Sequence, residues 1–269
     1  MEIEEFYKQV GGNFEDVKRR LLNEEFIRKF VLKFKDDETF DNLIDAFDKG
    51  SYIKIIPSEN KIIGYTTRNS EGVPDNFKNY FVLLFDKPFA TNYTWHDKIL
   101  EKNKLELTDD HVGAVVGFRT KKGEKINVKV ASSFISFEQA ELNLVTELGI
   151  ASFEQTMTDS KNEWNKDLGK LAVEGGSDEQ LQTFYSCLYR TVCFPQKHYE
   201  IDAAGKIVHY SPYNGKVLPG YMYAGTGFWD TFRALYPLLN LVYPSINKEM
   251  QEGLINDYKE GGFLPEWSS

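Results

Sequence analysis

The chain has 269 residues, 41% hydrophobic and 27% charged. That balance suits one large globular domain or two to three small ones, and excludes a disordered tail, a collagen-like fibre and a disulfide scaffold. Lys and Arg number 32 against 41 Asp and Glu, a net charge of -9; without a basic tract, nucleic-acid binding is not expected. Aromatics make up 14%, which suits a β-rich core or a sugar-binding surface.

The start, Met1-Glu2-Ile3-Glu4-Glu5-Phe6, is acidic and lacks the apolar stretch of a secretory signal. Residues 3–50 read as helices. Phe26, Ile27, Phe30, Val31 and Phe34 share one stripe, and Phe40, Leu43, Ile44 and Phe47 continue it until Gly50-Ser51. The character then changes. Tyr52-Ile53-Lys54-Ile55-Ile56 and Lys61-Ile62-Ile63-Gly64-Tyr65 flank the turn chemistry of Pro57-Ser58-Glu59-Asn60, which predicts a hairpin. Asn79 to Phe85 is a buried strand; its apolar run is too short to span a bilayer, so no membrane partner is expected. Val112 to Arg119 and Ile126 to Phe134 flank Lys121-Lys122-Gly123-Glu124 and predict a second hairpin.

From Ser136 the pattern is helical, with helices over Glu138 to Leu148 and Phe153 to Leu171. Ser177-Asp178-Glu179-Gln180 reads as a capping box ahead of Leu181, Phe184, Tyr185, Leu188 and Val192. Residues 194–225, dense in Pro, Gly and Tyr, read as a long loop with a short hairpin around Asp202-Ala203-Ala204-Gly205. Phe228, Phe232, Leu235, Leu239 and Val242 form another stripe that Pro237 should interrupt. Pro244 opens a last helix that Gly261-Gly262 ends. Helices, then strands, then helices make the chain α+β rather than alternating α/β.

Four histidines, His96, His111, His198 and His209, form no zinc-like cluster, and no Gly-rich phosphate loop is present. Cys187 and Cys193, if on one helix, would lie about 9 Å apart along its axis and on different faces, so a disulfide is excluded. They read as two small free core residues, and free thiols point to a reducing, cytoplasmic setting. The informative run is Gly225-Thr226-Gly227-Phe228-Trp229-Asp230-Thr231-Phe232-Arg233. Trp229 offers a flat apolar face to a sugar ring, and Asp230 offers two acceptors to vicinal hydroxyls. The plainer alternative buries Trp229 in the core and pairs Asp230 with Arg233 three residues on. Phe263-Leu264-Pro265-Glu266-Trp267 is a second aromatic–acid run after a helix stop. Trp267 there either lines a pocket or covers apolar surface beside a helix cap.

These runs carry a resemblance. Ile63-Gly64-Tyr65, Phe85-Asp86-Lys87-Pro88-Phe89, Ser132 to Ala140 with Asn143-Leu144, Phe184 to Arg190, Phe228 to Leu235 and Gly262 to Trp267 make residues 60–269 resemble glycoside hydrolase family 92, calcium-dependent exo-acting α-mannosidases. The resemblance implies a partial β-sandwich over 52–137, linker helices over 138–177 and the first helices of an (α/α)6 barrel over 178–269. It implies hydrolysis of terminal α-linked mannose, of the α-1,2 type and with inversion, on mannose-containing glycans. Trp229 and Asp230 match the family's sugar-contacting pair, and Trp267 lies on the loop leading to its catalytic acid. The family's acid, base and most calcium ligands lie beyond that loop, so no catalytic or metal-binding residue is assigned here. The chain is expected to be a fragment inactive alone, or else a non-catalytic carbohydrate-binding or interaction module. Phe232, Leu239, Met250 and Leu254 are expected to stay partly exposed and to promote self-association. Residues 1–51, with Glu5-Phe6-Tyr7, Val10-Gly11-Gly12 and Phe26 to Phe34, resemble the first helices of a bacterial histidine phosphotransfer domain, without its histidine. The junction near Tyr52 then reads as a fusion or a gene-model artefact.

Overall fold

In a computed structural model, which describes residues 50–67, 72–97, 99–102 and 104–268, the alternation of residues 51–56 becomes strand β1 (Ser51–Ile56). The helical reading of residues 3–50 and their phosphotransfer resemblance lie outside the described residues. Ile53 and Ile55 of β1 are buried while Tyr52 and Lys54 face the other way. A 3₁₀ turn at Pro57–Glu59, closed by Asn60 in the left-handed region, leads back into β2 (Lys61–Thr67). The expected hairpin forms, with Ile55 opposite Ile62.

Strands β3 (Lys78–Phe85), β6 (Glu106–Asp109) and β8 (Val128–Ser133) complete an antiparallel sheet in the order β6-β1-β2-β3-β8. A second sheet, in the order β5-β4-β7, holds β4 (Thr91–His96), β5 (Ile99–Lys102) and β7 (Val112–Gly117). Ile53, Ile55, Ile62 and Leu107 from the first sheet pack against Val112, Ala114 and Val116 from the second. The other face of the first sheet is covered by helix α1 (Phe137–Glu147), whose Ala140 and Leu144 pack on Val82. Coverage on both faces explains why Phe81-Val82-Leu83-Leu84-Phe85 is apolar throughout. Phe81, Leu83 and Phe85 point to the second sheet, and Val82 and Leu84 point to α1.

The expected second hairpin is not formed. The turn chemistry is present: Glu124 N donates to Lys121 O, Gly123 has φ 82°, and Lys87 pairs with Glu124. Yet β7 pairs with β4, and β8 pairs with β3. The connection crosses between layers because the inward apolar residues of β7 fill the inter-sheet core, whereas Ala131 of β8 belongs against α1.

Helices α2 (Phe153–Leu168) and α3 (Asp178–Thr191) follow. Helix α2 ends three residues earlier than expected, at Leu168, with Gly169 as its cap. Both bonds of the capping box form at Ser177 and Gln180. The stretch expected as loop holds more structure: β10 (Tyr199–Ile201), β11 (Ile207–Tyr210) and β12 (Val217–Pro219) form a small sheet, and β9 (Gln196–Lys197) pairs with β13 (Tyr223–Ala224). The Asp202 side chain accepts from Ala204 N and Lys206 N and closes the expected hairpin. Strands of two to four residues are too short to show a period.

The next stripe divides into α4 (Phe228–Thr231) and α5 (Leu235–Val242). The break falls at Phe232–Ala234, not at Pro237. Pro237 sits in the first turn of α5, where its missing N–H is not required. Helix α6 (Pro244–Gly261) starts at its Pro and stops at Gly262, φ 81°, as expected. Leu188, Tyr223, Leu239, Tyr243 and Met250 form the core of this half. Leu239 and Met250 are therefore buried, contrary to expectation, because α3 and β13 supply the cover; Phe232 is half exposed. The two cysteines are not core residues either: Cys187 is exposed and Cys193 half-buried, its thiol donating to Tyr189 O at 3.3 Å. Among the described residues, no helix is long and apolar enough to cross a membrane.

Burial ranks the sandwich positions. Ile55→Ala should lower unfolding free energy in urea by about 3 kcal/mol through the cavity it leaves. Val130→Ala on the exposed outer strand should stay within about 0.5 kcal/mol.

Candidate functional site

The site candidate is built where two distant segments meet. Strand β14 (Thr226–Gly227) pairs antiparallel with β15 (Trp267–Ser268), and Phe228 N donates to Glu266 O at 3.0 Å. Gly227 lies directly under the indole of Trp267; a Cβ there would overlap the ring. The glycine is needed for this close approach. Gly225, two residues earlier, turns the chain at φ 84°.

Helix α4 then starts. Phe228 turns inward and stacks on Tyr236 of α5, ring centroids 5.5 Å apart and 11° from parallel. Thr231 Oγ1 donates to Gly227 O at 2.7 Å. With Phe228 anchored inward, the next two residues turn outward: Trp229 is 75% exposed and Asp230 is exposed. Trp229 is therefore not a core residue. The Asp230–Arg233 pair is absent too, because α4 ends at Thr231 and the helical spacing does not extend to Arg233. The Arg233 guanidinium lies instead over the rings of Phe232 and Trp229. Trp267 is 57% exposed and rests on Gly227, five residues past the αL cap of α6. Trp229, Asp230 and Trp267 are thus all exposed and all lie within three residues of the Gly227–Trp267 pairing.

A buried polar cluster was not foreseen. His209 of β11 is fully buried; its Nδ1 lies 2.9 Å from Gly220 O and its Nε2 2.9 Å from Glu260 Oε1. Asp257, one turn before Glu260 on α6, is 1% exposed. Asp257 Oδ2 and Glu260 Oε2 are buried without a hydrogen-bond partner. Burial pushes the Asp257 carboxyl up to about 6, and the charge of Glu260 adds to that; a hydrogen bond from Tyr213 and the nearby His209 pull the other way. Tyr213 also packs edge-on against Phe263, at the start of the loop that carries Trp267. A second group joins Tyr223 and Tyr199 through Glu249 Oε2, at 2.7 and 3.2 Å. The signal for the first cluster was present: a histidine inside the short run Ile207-Val208-His209-Tyr210, and two acids three apart on one helix.

Calcium needs about six to eight oxygen ligands. Among the described residues no group of three or more His, Cys, Asp or Glu converges to hold a metal ion, so these residues do not fit it. A cleft of about 1010 Å³ lies elsewhere, between β8 and the start of α2, lined in part by Val128, Val130, Ile150 and Phe153. Asp86, Lys125, Lys129 and Glu154 also line it, and neither Trp229, Asp230 nor Trp267 does.

Comparison with known proteins places this architecture. The glycosyl hydrolase family 92 N-terminal domain matches residues 30–133, and the family 92 catalytic domain matches residues 139–269. The chain belongs to glycoside hydrolase family 92. The first match begins upstream of the Tyr52 junction, inside the segment that resembles a phosphotransfer domain. A family GH92 inverting mannosidase from Bacteroides thetaiotaomicron superposes with a TM-score of 0.80 at 45% identity, over 83% of this chain and 30% of that one. A family GH92 α-mannosidase from the same bacterium, in complex with mannoimidazole, superposes with a TM-score of 0.73 at 24% identity, over 82% of this chain and 29% of that one; this second likeness speaks to fold alone. The chain thus spans about 30% of the length of these solved proteins. No curated protein matches it.

Asp257 makes stability depend on pH. Its carboxyl is raised from 3.8 to about 6 in the fold, so the folded state holds the proton more tightly. The stabilisation is complete below pH 3.8 and is lost as pH rises through about 6. Asp257→Asn should therefore melt above the unmodified chain at pH 8, with the gain vanishing at pH 4. Thermal melts at the two pH values check this.

Proposed function

We propose that this chain supplies part of a terminal-mannose pocket in an exo-acting α-mannosidase, with Trp229, Asp230 and Trp267 contacting the sugar. The observation that carries the reading is the outward turn of Trp229 and Asp230 while their neighbour Phe228 is anchored inward. A large aromatic left in solvent beside an acid is costly for packing and suited to a polyol. The indole face takes the apolar C–H side of a pyranose, and the carboxylate accepts from adjacent hydroxyls. Trp267, seated on Gly227, supplies a second apolar wall. Family membership and the mannosidase neighbours point to mannose among sugars.

On this reading the full reaction is a single displacement by water with inversion, on α-1,2-linked mannose at the end of a glycan. Inversion requires an acid and a base carboxyl about 6.5–9.5 Å apart, with water between them. No residue of this chain is assigned to either role, so the chain on its own binds sugar without cleaving it. In that state it behaves as a carbohydrate-binding body. Its outer apolar residues, Phe232, Leu241, Ile255 and Tyr258, are exposed and favour self-association.

Titration of the 269-residue chain with methyl α-mannoside, read by ligand-observed NMR, should show saturable binding. Asp230→Ala should weaken it at least about tenfold, through loss of charge-assisted hydrogen bonds. Equal binding by the variant would remove Asp230 from the site. Incubation with an α-1,2-mannobiose, with and without Ca²⁺, should release no mannose. Turnover that disappears in Asp230→Ala would show that the chain holds its own acid and base.

A further inference from the structure

We propose that Arg233 is a positioning residue for the sugar platform: it holds the indole of Trp229 by its guanidinium and, in doing so, leaves the Asp230 carboxylate unneutralised. The inference rests on the reading of Trp229 and Asp230 as a mannose platform and adds the group that sets their geometry.

The guanidinium carbon of Arg233 lies 4.6 Å from the ring centroid of Phe232 and 5.8 Å from that of Trp229. Both fall within the range of a cation–π attraction, and Arg suits it because its planar, weakly hydrated head lies flat on aromatic faces. Among the described residues no other ring contact or hydrogen bond fixes Trp229. Every other tryptophan is held by something more: Trp164 packs against Tyr189, Trp267 sits on Gly227, and Trp95 crosses Gly113 within the second sheet. Trp229 stands on a helix of four residues with three-quarters of its surface in solvent. Without Arg233 its two side-chain torsions would sample several rotamers.

The contact has two consequences for binding. A cation on one face of the indole leaves the opposite face for the pyranose, so the stacking side is chosen before the sugar arrives. The same placement keeps the guanidinium away from Asp230. The helix stops at Thr231, and the turn Phe232–Ala234 carries Arg233 onto the rings instead of back along the helix face. Asp230 therefore keeps both carboxylate oxygens for hydroxyl groups. An ion pair there would occupy those acceptors and would have to be broken for each sugar bound. Phe232 matters for the same reason: it is the nearer ring and steadies the guanidinium itself.

The test uses the full chain with Arg233→Met and Arg233→Lys, in the native and the Trp229→Phe backgrounds. Acrylamide, a neutral quencher, reads indole mobility and exposure without any sugar. Arg233→Met should raise tryptophan quenching, Arg233→Lys should lie between it and the native chain, and the effect should vanish in the Trp229→Phe background. Methyl α-mannoside binding should fall about fivefold in Arg233→Met, in line with loss of one cation–π contact. Unchanged quenching in Arg233→Met, or a change that persists without Trp229, would overturn the assignment. If the native chain fails to bind methyl α-mannoside while the quenching pattern holds, the platform reading is what fails and the hold of Arg233 on Trp229 stands. Should Arg233→Met not fold, the lysine variant decides by the same two readings.

Discussion

The corner that carries the candidate site depends on a missing side chain. Gly227 lets the Trp267 ring lie against its backbone, and the short pairing of Gly227 with Trp267 then fixes where Phe228, Trp229 and Asp230 begin. Any larger residue would push the indole outward and strain the bond from Phe228 N to Glu266 O. One close approach thus couples the end of α6 to the start of α4. The Phe228–Tyr236 stack couples α4 in turn to α5. Helix α4, only four residues long and with no buried residue of its own, gains a defined geometry because it is tied to both neighbours.

The two domains matched by the family are not separate bodies here. Between residue 133, where the first match ends, and residue 139, where the second begins, the chain is stitched to the small sheet that follows α3. The Glu200 carboxylate accepts from Phe134 N and from Asn143 Nδ2, at 2.9 and 2.8 Å. Gln139 Nε2 donates to Ile201 O, and Asn143 Nδ2 also donates to Ser132 O. His198 stacks on Phe134, ring centroids 5.3 Å apart. Burial at this seam holds the His198 imidazole below its usual range, favouring the neutral ring. Directional bonds of this kind fix orientation where an apolar contact would permit sliding. The seam explains why the sandwich and the helical half form one unit.

Much of this was legible in the sequence where a local rule governed. The alternation at Tyr52–Ile56, the capping box at Ser177 and the Pro244-to-Gly262 limits of α6 each rest on neighbours within a few residues, and each appears as read. The failures have a common cause: they were settled by partners far along the chain. The turn at Lys121–Glu124 was real, but β7 and β8 chose β4 and β3 because the two core faces demanded it. Leu239 and Met250 were expected to lack cover, which Leu188 and Tyr223 supply. At the candidate site, residue chemistry and family pattern singled out Trp229, Asp230 and Trp267, and all three are exposed in the structure. What could not be read was that α4 ends at Thr231, two residues before Arg233, whose guanidinium lies over the Phe232 and Trp229 rings instead of pairing with Asp230.

The buried acids of α6 precede the loop that carries Trp267. A helix C-terminus carries a partial negative charge, so Asp257 and Glu260 in the last turns of α6 oppose the macrodipole as well as each other. Burial makes both penalties larger. His209 and Tyr213 answer part of this, through a bond to Glu260 and a bond to Asp257, yet one oxygen of each acid stays without a partner. A chain selected for packing alone would place apolar groups there. The tension sits where α6 gives way to the loop bearing Trp267, and Tyr213 links the two by packing on Phe263. The glycine that a Cβ would crowd and the half-satisfied acids both depart from local rules, and both adjoin the loop of Trp267. Such departures are costs that surrounding contacts must offset, and here Trp267 on Gly227 and Phe263 on Tyr213 tie the loop to both.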